Sequence, residues 1–357
     1  MKNRLIQLIF TLFCCSFLVL LFLYSKECIA LASNGLLIWY RNMIPSLFPF
    51  MVLSGFMIRS GLSLKIGQWL QPFLGMFFRL PSHMLYAIFM GFLCGFPMGA
   101  KIVSDMLEKE QITLKEGEYL LAFCNNIGPL YMLGYVIPLF GYQNVWTILG
   151  LMYLVPFGYG LILRYFLPHY TKQFSLRINS AFQKNSSYKL CACSYVETNY
   201  NTLPNFLTCF QQSLSSSIEQ ITMLGGCMVF FNCFLIFPQM LEHVLSKSRI
   251  VSYCPLLTAL LSSLVEIGGG LQQLSSAFSS SNANSHLQTN TFLSSLTNFN
   301  VSHVYLPLAL LTFGGLSCIA QTYFITKNTG LKISTYIKHK VIQSWIYIIL
   351  FIIVILL

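Results

Sequence analysis

Residues 84–99 read Met84-Leu-Tyr-Ala-Ile-Phe-Met-Gly-Phe-Leu-Cys94-Gly95-Phe-Pro-Met-Gly99. An apolar run of about eleven residues is too short to cross a bilayer as a helix, which takes ~20, but suits a segment that enters and turns back. The run stops at a Gly/Pro cluster and resumes as a more polar helical arm, 100–108. Pro255 to Val265 repeats the plan: a short apolar run, an interruption at Glu266-Ile-Gly-Gly-Gly270, then an arm over 271–279. Helix, break and helix in so few residues predict two re-entrant helical hairpins.

The rest of the chain is membrane-like. Of 357 residues, 55% are hydrophobic and only 9% charged, where a soluble domain carries about 25% charged residues to face water. Runs long enough to span lie at 5–24, 43–60, 118–138, 145–163, 214–238, 304–325 and 341–357. The first, behind Lys2 and Arg4, reads as an uncleaved span, because no small-residue cleavage site follows it. Pro45 and Pro49 suit the start of the second run. Segments 27–40 and 66–80 are short and amphipathic, which places them at the interface. The basic stretch 168–212 and the Ser/Asn/Thr-rich stretch 277–303 read as loops.

The net charge of +11 does not point to nucleic acid, because the basic residues sit at segment ends and form no run. With the N-terminus cytoplasmic and both hairpins returning to their own side, most basic residues share the cytoplasmic face, among them Arg59, Lys109, Lys115, Arg164, Lys338 and Lys340. Lys26, Arg41, Lys247 and Arg249 fall on the other face, as the positive-inside rule asks. The twelve cysteines lie mostly in apolar runs, where Cys acts as a small hydrophobe. Cys191 and Cys193 have no second pair at zinc spacing, so no metal site and no cofactor are expected. Nor does any carboxylate dyad or nucleophile–base pair point to an enzyme.

The two halves match at one offset of 171 residues, Gly55 with Gly226 and Gly99 with Gly270. The expected fold is an all-α polytopic membrane protein of two inverted repeats with re-entrant hairpins and broken transmembrane helices. Its divisions are a first helix (1–26), a first repeat (27–167), a basic cytoplasmic loop (168–212) and a second repeat with the C-terminal helix (213–357).

Backbone that leaves helical geometry inside a bilayer needs partners from protein, water or ligand. Four interruptions qualify: Gly95–Gly99, Asn125–Pro129, Glu266–Gly270 and Gly314–Ser317. Inverted-repeat transporters hold solute at such places, where half-helix N-termini offer N–H groups to anions. The candidate substrate-binding residues are therefore Gly95, Pro97, Gly99, Lys101, Asn125, Asn126, Glu266, Gly268, Gly270, Gln272, Gly314, Gly315 and Ser317. For Lys101 two readings stand, a substrate carboxylate partner or an i,i+4 pair with Asp105. Glu266 is either a proton-coupling group or the cap of its own hairpin. Gly225-Gly226 reads as helix packing.

Gly95-Phe-Pro-Met-Gly-Ala-Lys101, Leu121-Ala-Phe-Cys-Asn-Asn126 and Gly128-Pro129 resemble the signature of YlbJ-type sporulation integral membrane proteins. Those proteins belong to the wider nucleoside-recognition ("Gate") domain group. Pro45–Phe50 and Thr312–Ser317 fit the same pattern. The resemblance implies an architecture like that of concentrative nucleoside transporters. It also implies transport of dipicolinic acid, a small planar dicarboxylate, from mother cell towards forespore across the outer forespore membrane. The expected partners are this anion, the lipid bilayer and a coupling proton or sodium ion; homo-oligomerisation is left open. A nucleoside or other neutral polar cargo, and a non-transporting scaffold, are the competing expectations. The sequence departs from the family pattern at Glu266–Gly270, where the pattern places a threonine near the glutamate.

Overall fold

The computed structural model describes residues 2–166, 206–246, 254–283 and 299–356. The proposed basic loop therefore lies outside the described residues except for 206–212, and so does most of the 277–303 loop.

Every described element is helical. The first half holds α1 (Lys2–Leu23), α2 (Ser25–Arg59), α3 (Leu62–Phe78), α4 (Ser82–Cys94), α5 (Met98–Glu108), α6 (Leu114–Cys124), α7 (129–140) and α8 (Val145–Phe166). The second holds α9 (Phe206–Cys233), α10 (Ile236–Ser246), α11 (Cys254–Val265), α12 (Ile267–Ala283), α13 (Phe299–Phe313), α14 (Gly315–Thr326) and α15 (Ile333–Leu356). Six helices are long and apolar enough to cross a membrane, and large apolar side chains such as Phe22, Trp69, Trp146 and Phe166 point outward. The chain is an all-α, multi-pass integral membrane protein.

Several boundaries differ from the sequence reading. Residues 27–40 are not a separate interfacial helix but the first half of the 35-residue α2. A π-turn at Trp39–Met43 carries the helix past Pro45, and a second at Met132–Val136 does the same before Pro138. The helix expected to begin at 214 begins at Phe206 and breaks after Cys233. The arm expected to end at 279 continues to Ala283. The segment expected at the interface, 66–80, lies in α3 as far as Phe78, and α3 meets α4 at 87°. Arg164, placed at the membrane face by the charge count, is buried, and its guanidinium donates to the Phe78 and Arg79 carbonyls that end α3.

Both short apolar runs fold back. A Cβ built on Gly91 would lie 2.6 Å from the Cys124 carbonyl oxygen, and one on Gly99 2.7 Å from the same atom. In a straight helix eight residues rise about 12 Å, so α4 and α5 form a hairpin. A Cβ on Gly270 would lie 2.3 Å from the Ser263 Cα, where a straight helix would put about 10 Å between the two residues, so α11 and α12 fold back likewise.

The two long helices α2 and α9 run antiparallel. Gly35 meets Asn232, Trp39 packs on Gly225 and donates from Nε1 to the Ile221 carbonyl (2.9 Å), and Ser213 donates to the Val52 carbonyl. Residues 25–166 and 206–356 show the same succession: long helix, helix, hairpin, broken span, helix.

Candidate functional site

The four interruptions pack on one another. Gly95, at φ +84°, places its Cα against the backbone of Ile127 and Gly128, and Gly99 lies on Asn125, so the first hairpin tip sits on the broken span α6–α7. In the second half Gly315, at φ +73°, lies on the carbonyls of Ser263, Leu264 and Val265. The halves meet where the Phe96 ring rests on Gly314, whose Cβ, if it had one, would stand 3.2 Å from the ring.

A small cavity of about 20 Å³ lies at this meeting point. The first half contributes Phe96, Ile127, Gly128 and Tyr131, the second Glu266, Ile267, Cys318 and Gln321, and α2 and α9 close it with Met43, Leu47, Leu224 and Met228. The Tyr131 hydroxyl is buried with no hydrogen-bond partner.

The freed backbone groups are largely satisfied by side chains, as buried peptide groups require. Gln343 donates to the Ala122 carbonyl (2.7 Å), Asn126 to that of Phe123, and Tyr153 to that of Ile127 (2.9 Å). Asn125, wholly buried, accepts from the Ala100 N–H (3.2 Å) at the start of α5 and donates to Thr322 (3.1 Å) and Tyr336 (3.2 Å). Tyr135 donates to the Gly268 carbonyl (2.8 Å), tying α7 to the second hairpin.

Glu266 caps its own hairpin: its carboxylate accepts from Gly268 N–H (3.0 Å), Gly269 N–H (2.7 Å) and Asn232 (3.1 Å). The helix starts at the hairpins, expected to be open to an anion, are thus occupied by Asn125 and Glu266. The span breaks differ, since α7 and α14 begin at Gly128 and Gly314 with no side-chain cap. Ser317, buried, accepts from Gln321 (3.1 Å). Gln272 lies away from the cavity lining and accepts from Asn34 (2.8 Å).

Of the two readings of Lys101, the structure has the i,i+4 pair: its ammonium lies 2.6 Å from Asp105, and it lines a separate cavity with Arg59, Ser213 and Ser217. Sequence reasoning missed Lys340, which it counted as a charge at the membrane face. Lys340 is fully buried within α15. Its Nζ donates to Asn126 Oδ1 (2.6 Å) and stands 5.1 Å from the centre of the Phe96 ring and 5.8 Å from that of Tyr336. The available signal was Ile333-Ser-Thr-Tyr336, which already begins the helix two turns before Lys340.

Against known proteins, the chain is similar to the sporulation integral membrane protein YlbJ of Bacillus subtilis (strain 168). The two are 29% identical over 212 residues, 57% of this chain and 50% of that protein. The chain thus spans about half the length of the curated relative it matches. The YlbJ-type resemblance read from the sequence holds. No family model matches the chain, and no solved structure matches it.

Proposed function

We propose that this protein is a transporter that carries a small organic anion across the membrane, with dipicolinate moving from mother cell towards forespore as the first candidate. One observation carries the reading: three of the four helix interruptions line a single cavity with polar groups in its wall, and the fourth, Gly314–Ser317, packs on Phe96 and leads directly into Cys318 and Gln321, which line it too. Nothing in helix packing alone requires irregular backbone at such a point, and within a bilayer it is tolerated where it lines a cavity. The relative's name, a sporulation protein, supports a sporulation setting, and the outer forespore membrane is the location that goes with the proposed cargo.

The cavity of about 20 Å³ holds roughly one water, so a dicarboxylate enters only after the halves part. The antiparallel α2 and α9 and the shared succession of elements support an inverted repeat, in which one half rocks against the other. Uptake of radiolabelled dipicolinate into proteoliposomes tests this, with uridine as competitor and imposed proton or sodium gradients to reveal coupling. Uptake blocked by unlabelled dipicolinate and not by uridine supports the reading. Preferential block by uridine assigns a neutral cargo, and the absence of uptake makes the protein a scaffold.

A further inference from the structure

Among the described residues the only ion pair is Lys101–Asp105, so the buried amine of Lys340 has no carboxylate beside it. An ammonium carries three donors. Asn126 accepts one, two aromatic faces flank the rest, and no other described protein group accepts from Lys340. A cation buried at membrane depth without an anion is costly. Such residues mark solute or ion pathways.

Its neighbours are those of the cavity. Asn126 directly precedes Ile127 and Gly128, which line it, and Phe96 lines it while standing over the amine. Lys340 itself does not line the cavity, while the Phe96 ring both lines it and stands over the amine. Phe96 is carried by the hairpin tip and lies on Gly314, where a side chain would crowd it.

We propose that Lys340, screened by Phe96 in this closed form, is the cation that receives a carboxylate of the transported anion. When the first hairpin tip shifts, the ring leaves the amine and its donors face the cavity, beside the uncapped starts of α7 and α14. The anion is then held by one buried ammonium, with Asn126 fixing that ammonium in place. Glu266 stays on its own hairpin, its oxygens taken by Gly268, Gly269 and Asn232.

This inference rests on the transport reading and names the group that recognises the solute. Full-length protein in detergent is titrated with dipicolinate beside Lys340→Met and Lys340→Arg, each checked by its thermal melt. Removing one partner of a buried charge pair is expected to weaken binding about 100-fold in Lys340→Met, while Lys340→Arg stays within about tenfold of the wild type. Lys340→Met that melts normally and binds within about threefold of the wild type overturns the inference and leaves the transport reading standing. Wild-type protein that binds no dipicolinate overturns both. Should Lys340→Met not fold, Phe96→Ala decides: with the screen gone, dipicolinate association is expected to quicken about tenfold, and an unchanged rate overturns the proposal.

Discussion

Gly95→Ala should be among the most damaging single-methyl changes in this protein. Gly95 sits at φ +84°, ψ −166°, a region that side chains avoid at a cost of about 1–3 kcal/mol. The new methyl would also stand 2.1 Å from the Gly128 nitrogen and 2.5 Å from its Cα. Those are backbone atoms of a packed break and cannot rotate away, so overpacking adds about 1–3 kcal/mol. Together, about 2–6 kcal/mol is a large part of the roughly 5–15 kcal/mol that holds a typical fold. Gly150→Ala in α8 is the control: a Cβ there meets nothing within 4 Å, and alanine is the better helix former by up to about 1 kcal/mol. Thermal melts of both variants in the same detergent decide the matter. If Gly95→Ala melts as the wild type does, the hairpin tip does not sit on the second break and the packing described is wrong.

Asn125→Ala removes one acceptor and two donors in a buried position, and a loss of about 2–4 kcal/mol is expected from the melt. Glu266→Ala leaves Gly268 N–H, Gly269 N–H and the Asn232 amide without their acceptor; the melt should fall clearly further than for Glu266→Gln, whose amide oxygen still accepts. Lys101→Ala strands Asp105 and should lower stability by about 1–3 kcal/mol, yet dipicolinate titration should show affinity within about twofold of the wild type, because Lys101 lies in another cavity.

The breaks were legible because glycine, proline and asparagine mark them: each of Gly95, Gly314 and Gly315 holds a positive φ. The hairpins were legible from length, since 13 and 12 helical residues do not span a bilayer. Lys340 was not, because Lys338-His-Lys340 ahead of an apolar run looks like an ordinary basic flank. Only the start of α15 at Ile333 and the packing of α6 against it put that charge inside. The continuity of α2 was hidden for a related reason. Pro45 and Pro49 read as the start of a new helix, and the π-turn that carries the chain past Pro45 has no sequence signature. The role of Asn125 as a cap for α5 depends on a contact 25 residues away. No local pattern encodes it.

Side-specific labelling of single cysteines placed at Arg79 and Lys109 bears most directly on all of this, because those positions bracket the first hairpin. Reagent added from one side of the membrane should reach both, as it must if the chain enters and leaves the bilayer through the same face. Were each position to react only from the opposite side, residues 82–108 would cross the membrane outright, and the meeting of tips around one cavity could not exist.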